Sequence, residues 1–228
     1  MKLQVWKNFL PKIREKSYFI FVSQWMYDQF LMNTGIDESM LENRSSIIYN
    51  SVGEIFSANA WDETSPKAFD FITIRSDLDN SKYAVDIVNR LAFNTPDMKF
   101  LLIGRGEYFQ WNAKAPNLEW LDAVLTHREI IEYLNRARFA LMPTRTDAQG
   151  LMMCEMAAYG MPVITSDIPV CHEVFSDFPN VNYIDNDDIR LSLERYRHIP
   201  ARFIKDTRYF LENTCSQELR ILWKLMAS

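Results

Sequence analysis

Short apolar runs rich in β-branched and aromatic residues recur along this chain. They fall at 18–22 (YFIFV), 46–49 (SIIY), 69–74 (FDFITI), 98–104 (MKFLLIG), 138–143 (RFALMP), 162–166 (PVITS) and 181–184 (VNYI). Between several of them the apolar residues follow helical spacing. Val85, Val88, Leu91 and Ala92 share one face of a helix over 82–93, and Ile130, Ile131 and Leu134 share one over 128–137. Parallel strands need a crossover long enough to hold a helix, so this alternation predicts an α/β fold: a doubly wound parallel sheet with helices on both faces. Beyond about residue 185 the strands stop, and 188–197 and 201–226 read as helical throughout. The polar stretch 57–67 (SANAWDETSPK) reads as a linker. No internal repeat or low-complexity segment is present.

Composition narrows the setting. With 48% apolar and 24% charged residues over 228 positions, disorder is excluded as the main state. A net charge of −5 argues against a general nucleic-acid binder. No run approaches the ~18 apolar residues of a membrane span. The N-terminus scatters charge where a signal peptide needs an apolar block. Cys154, Cys171 and Cys215 lack metal-ligand spacing and are too few for a disulfide scaffold, which points to a reducing, cytoplasmic setting. Residues 1–17 carry Lys2, Lys7, Lys12, Arg14 and Lys16 against Glu15, beside Trp6, Phe9 and Leu10. Two readings stand: a solvated helix face interrupted at Pro11, or peripheral attachment to the anionic inner face of a membrane.

In open parallel sheets ligands bind beyond the carboxyl ends of the strands, so the loops there carry the candidate site. Arg75 follows FDFITI and Lys82 lies near the next helix start; the two can converge on one anion or stand as solvated loop cations. The same loop holds Asp77 and Asp79, which suit either a divalent cation or a cap. Gly104-Arg105-Gly106 ends a strand without the third glycine of a dinucleotide fingerprint, and serves equally as a tight turn. The densest signal is 142–167, MPTRTDAQGLMMCEMAAYGMPVITSD. Gly150 opens a helix with free backbone N–H groups, a seat for an anion. Asp147 in the loop and Glu155 on the helix stand eight residues apart and can face one crevice. Met152, Met153 and Met156 read as core, Cys154 as a buried thiol, Asp188 as a helix cap, and the three histidines as ordinary polar residues.

The phrase D-A-Q-G-L-M-M-C-E-M-A-A-Y-G-M-P-V-I-T-S-D resembles the signature of retaining GT-B glycosyltransferases, the glycosyl transferases group 1 family: E-G-F-G-L-x-x-x-E-A-M-A-x-G-x-P-V-I-A-S-D. Residues 71–82 resemble the family's strand-G-R-…-K-G segment, and 99–106 its strand ending in G-x-G. Residues 117–124 and 128–137 resemble its N-V-x-F-x-G and E-E-L-x-x-x-Y stretches, and 48–52 its P-N-G-V; together the likeness covers roughly 18–185. It implies a Rossmann-like GT-B C-terminal domain over 46–228, with 1–45 the end of an N-terminal acceptor domain plus the connection. It implies that Arg75 and Lys82 grip the diphosphate of a nucleotide-sugar donor and that Glu155 takes the ribose hydroxyls. Asp147 then contacts the donor sugar. The amides of Gly150, Leu151 and Met152 face sugar and phosphate, Gly104 bounds the same crevice, and Leu121 to Val124 lie along the base. The nucleotide-sugar is a substrate, and neither cofactor nor metal is implied. The acceptor, a glycan or lipid-linked molecule, belongs to an N-terminal half for which the chain has no room.

Departures from the signature bear on activity. Ile74, Tyr83 and Asp122 stand where the family has glycine, and Asp147 where it has glutamate. After Asp167 the usual G-G is Ile168-Pro169, while Glu173 keeps a later acid. Glycines allow backbone to approach a ligand closely, and the chain holds six. Beside the donor-binding half of a hexosyl-transferring enzyme, inactive as an isolated fragment, stand a non-catalytic binding module and, disfavoured by the broken fingerprint, a nucleotide-binding dehydrogenase.

Overall fold

The computed structural model describes residues 8–12, 16–199 and 202–227. It begins with a small parallel pair, β1 (Phe19–Phe21) and β2 (Ser45–Ile47), joined through helix α1 (Gln24–Thr34). After α2 (Glu54–Ala58) come the strands of the main sheet: β3 (Phe69–Ile74), β4 (Phe100–Ile103), β5 (Leu118–Leu121), β6 (Ala137–Met142), β7 (Val163–Ser166) and β8 (Val181–Ile184). Their order is β5-β4-β3-β6-β7-β8, and all neighbours are parallel. Helices α3 (Val85–Asn94), α4 (Tyr108–Trp111), α5 (His127–Asn135), α6 (Leu151–Tyr159) and α7 (Pro169–Val174) lie between them, and α8 (Leu211–Met226) closes the chain. The order reverses direction between β3 and β6, the switch point at which such sheets open a crevice.

The central strands β3, β4, β6 and β7 are covered on both faces, which is why they stand out as near-continuous apolar runs. Leu101, Ile103, Ala140 and Met142 contribute to one core with α5, α6 and α7. Their alternates Phe100, Leu102, Phe139 and Leu141 contribute to the other, with α3 and Tyr196. Helix α6 is apolar on every side except at Glu155 because it lies inside the protein: every residue from Met153 to Tyr159 is buried, and α2 packs over it with Phe56 edge-on to Tyr159. Thr126 and Glu129 form a reciprocal capping box at the start of α5.

Four expectations change. The helix expected from residue 82 starts at Val85, because Asn80 accepts the Lys82 N–H and caps a separate turn at Ser81–Tyr83. The stretch 57–67 is docked and not a free linker. Trp61 is 2% exposed and donates to the Ala137 carbonyl at 3.2 Å, while Lys67 Nζ reaches the Asn135 carbonyl at 2.9 Å. Residues 188–197 form turns, with Asp188 accepting from Arg190 N and a short 3-10 turn at Glu194–His198. Finally, the last helix begins only at Leu211. Ahead of it Asp206 N bonds the Ala157 carbonyl, Tyr209 OH bonds the Val174 carbonyl, and the Tyr209 carbonyl accepts from Val52 N. Those tertiary bonds, with the Tyr209 ring fully buried, outweigh a local helical pattern.

The leading segment is bolted to the main sheet's layer. Ser23 caps α1, and the Glu173 carboxylate on α7 accepts from Gln24 N at 2.6 Å, Trp25 N at 2.8 Å and Tyr49 OH at 2.9 Å. A carboxylate on a helix N-terminus contributes about 0.3–1 kcal/mol. Burial and this carboxylate together push the Tyr49 phenol up to about 12. The division expected after residue 45 falls inside β2, whose partner strand belongs to the preceding segment. Of the basic N-terminal residues, Lys2, Lys7 and Arg14, with Trp6, lie outside the described residues. Helix α8 leaves Leu219, Leu222, Trp223 and Met226 exposed along one stripe. Among the described residues no helix is long and apolar enough to cross a membrane.

Candidate functional site

At the switch point the loops after β3 and β6 are zipped together. The Lys82 carbonyl accepts from Thr144 Oγ1 at 2.9 Å and Arg145 N at 3.0 Å, and Arg145 Nη1 bonds the Ser81 carbonyl at 2.8 Å. Arg145 itself is neutralised by Asp86 in a two-pronged pair at 2.9 and 2.6 Å. Between the loops lies a cleft of about 280 Å³, walled by Arg75, Lys82, Asp147, Gly150, Leu151 and Met152. Arg75, Lys82, Asp147 and Gly150, which the sequence pattern places around one crevice, therefore meet.

Arg75 is held rigidly. Its N–H donates to the Ile103 carbonyl at 2.9 Å and Nη2 to the Pro143 carbonyl at 2.6 Å, and the residue is 8% exposed. Its Nε is buried with no hydrogen-bond partner. Burial without a carboxylate in hydrogen-bond contact lowers its pKa to about 10. A buried cation with an unused donor is costly unless an anion completes it. Across the cleft Lys82 Nζ stands 3.9 Å from Asp147 Oδ2, while Asp147 Oδ1 accepts from Ala148 N at 2.8 Å.

Gly150 starts α6 in the left-handed conformation (φ 73°), and a Cβ there would meet Met153 Cε at 2.1 Å. No hydrogen bond among the described residues takes up the N–H groups of Leu151 and Met152, so the positive end of α6 opens onto the cleft. Gly104 lies behind the wall, not on it. Its φ is 152°, and a Cβ would stand 2.2 Å from the Arg75 carbonyl oxygen, so this glycine lets the β4 loop press against the residue that carries the guanidinium. Asp79 draws the same loops together: both of its oxygens accept from Glu107 N, at 3.0 and 2.8 Å, and Asp77 accepts from Asp79 N. Neither acid caps the next helix: Asn80 caps the turn at Ser81–Tyr83, and α3 carries no side-chain cap.

Glu155 and Val124 are also outside the cleft wall. Val124 is 71% exposed. Glu155 is 5% exposed, no hydrogen bond or ion pair among the described residues reaches its carboxyl, and burial pushes it up to about 7. Cys154 is fully buried and its thiol is pushed up by burial, as an inert core group is. Two contributors escape sequence reasoning. Gln149, 2% exposed, pairs its amide with the backbone of Asn50 (Asn50 N to Oε1 2.8 Å, Nε2 to Asn50 O 3.3 Å), and Ser23 Oγ donates to the Ala148 carbonyl. Together they anchor the loop that bears Asp147 to the leading segment, about a hundred residues away. Nothing local to either residue signals it.

A family model described as glycosyl transferases group 1 matches residues 72–192, more than half of the chain and both sides of the cleft. The chain belongs to that family. Solved structures agree with this glycosyltransferase family on fold. A sucrose-phosphate synthase from Thermosynechococcus elongatus superimposes with TM-score 0.74 at 15% identity, covering 99% of this chain and 61% of that one. The lipopolysaccharide outer core galactosyltransferase WaaB gives 0.62 at 14%, covering 91% and 62%. WaaG, a glycosyltransferase involved in lipopolysaccharide biosynthesis, gives 0.60 at 13%, covering 78% and 52%. This group 1 chain thus spans between half and two thirds of the length of those three. It has the Rossmann-like GT-B domain architecture. No curated protein matches it.

Proposed function

We propose that this chain is the donor-binding half of a retaining glycosyltransferase that moves a hexose from a nucleoside diphosphate to a glycan or lipid-linked acceptor. The observation that carries the reading is Arg75: a buried guanidinium at the sheet's switch point with an unused donor, facing a lysine and an open helix N-terminus. Breaking a sugar–phosphate bond builds negative charge on the departing diphosphate. Cations and N–H groups already fixed in place stabilise that charge without reorganising as it forms. In this reading Arg75, Lys82 and the amides of Gly150, Leu151 and Met152 hold the diphosphate, and no metal is required. Asp147 meets sugar hydroxyls, Glu155 the ribose, and Leu121 to Val124 lie along the base. The acceptor binds a preceding half whose last elements are residues 1–45, and the exposed α8 stripe faces that half. A cytoplasmic enzyme with peripheral contact at the membrane's inner face fits the lipid-linked alternative.

A second reading, a non-catalytic binding module of the same descent, is favoured by one observation. Lys82 already pairs with Asp147 across the cleft, and Ile74 and Tyr83 line it where the family has glycine. Calorimetry decides between them. The donor-site reading expects the protein to bind a nucleoside diphosphate, and Arg75→Ala to weaken it at least tenfold more than the bare nucleoside. No binding of any nucleoside diphosphate by the unaltered protein leaves only the module.

A further inference from the structure

We propose that Tyr83 is a positioning residue of the cleft, holding Arg75 and Lys82 together as a preformed pair of cations for a diphosphate; this rests on the donor-site reading above. The Tyr83 ring centroid lies 5.3 Å from Arg75 Cζ and 4.8 Å from Lys82 Nζ, so both cations stand within cation–π reach of one ring. The ring is fixed from both ends. Its hydroxyl lies 3.3 Å from Ser76 Oγ, at the opposite end of the same loop. Behind it, Ala84 adopts the left-handed conformation (φ 52°) and turns the chain into α3, which sets the direction in which position 83 projects.

Both cations line one cleft, and their like charges oppose any closer approach. Around the cleft the only carboxylate facing them among the described residues is Asp147, 3.9 Å from Lys82, since Asp86 is committed to Arg145. Coulomb attraction from one acid leaves the pair with an excess positive charge, and Arg75 is too buried for water to screen it fully. The negative face of an aromatic ring offsets part of that repulsion without occupying the anion's place, which a second carboxylate would do. A glycine at this position provides no such ring. Tyr83 therefore accounts for how the site keeps its cations aimed inward when no ligand is present.

The test compares Tyr83→Phe, which keeps the ring, with Tyr83→Leu, which keeps bulk and removes the ring's charge distribution. Affinities for inorganic pyrophosphate, a nucleoside diphosphate and the bare nucleoside are read by calorimetry, alongside urea unfolding of each variant. Tyr83→Leu is expected to weaken pyrophosphate and the diphosphate by roughly 5- to 30-fold, two cation–π contacts' worth, and to leave the nucleoside unchanged. Tyr83→Phe is expected to stay within about twofold of the parent. Parental pyrophosphate affinity in Tyr83→Leu, or equal weakening of diphosphate and nucleoside, overturns the proposal while the donor-site reading survives. Failure of the parent protein to bind either anion overturns both. If Tyr83→Leu does not fold, Tyr83→Phe decides: a loss of fivefold or more there shows that the hydroxyl and not the ring matters.

Discussion

Replacing Glu155 by glutamine isolates the cost of one buried charge. The carboxyl is 5% exposed, lacks a partner among the described residues, and is shifted by burial from 4.5 to about 7. In the unfolded chain it ionises near its ordinary value, so between about 4.5 and 7 the folded state holds a proton that the unfolded state has released. Stability is therefore greatest below the lower value, declines as pH rises towards 7, and is flat above it. The gap between 4.5 and about 7, at ~1.4 kcal/mol per pH unit, amounts to about 3 kcal/mol. Glutamine has the same shape and no charge to desolvate. At pH 5 the variant should match the parent closely, and at pH 8 it should be about 2–3 kcal/mol more stable, or roughly 5–10 °C in melting temperature for a chain this long. Urea unfolding at pH 5, 6, 7 and 8 reads the difference directly. A difference that stays constant over that range refutes the reasoning, because it means the carboxylate is hydrated in the folded protein. The ligand enters the same balance. Ribose hydroxyls donating to the carboxylate favour its charged form, so under the proposed function the preference for ribonucleotide over dideoxynucleotide should grow as pH passes 7.

Gly104→Ala places a methyl carbon 2.2 Å from a backbone oxygen at φ 152°, and should cost at least about 3 kcal/mol in urea unfolding; a loss under about 1 kcal/mol refutes the close loop contact. Asp147→Asn removes the carboxylate that competes for Lys82, so affinity for a nucleoside diphosphate should rise roughly 3- to 10-fold at low salt and less at high salt. Unchanged or weaker binding by calorimetry counts against that competition. Because Arg75, Lys82 and the α6 N-terminus supply the positive charge, nucleotide affinity should be the same with and without a chelator; collapse in chelator points to a cation at the site.

Much of this protein is local in origin. Parallel strands covered on both faces read as near-continuous apolar runs, so FDFITI, MKFLLIG and PVITS announce themselves without reference to anything distant. Glycines at 150 and 160 mark the ends of α6 because only they tolerate its flanking left-handed residues cheaply. Arg75, Lys82, Asp147 and Gly150 are legible as one site for a related reason: residues at the carboxyl ends of strands flanking a switch point converge by topology.

What the tertiary structure alone decided depends on partners far away in the chain. Trp61 turned a polar stretch into a docked one by finding the Ala137 carbonyl, 76 residues on. Asp206 and Tyr209 delayed the last helix by bonding α6 and α7. Gln149 reached Asn50, Glu173 reached the start of α1, and Glu155 was buried without a hydrogen-bond partner among the described residues. Periodicity records how a residue sits relative to its own helix or strand. Whether a polar atom finds a mate, and what burial does to a charge, is set by whatever the folded chain brings within ~3 Å of it, and no local pattern encodes that distance.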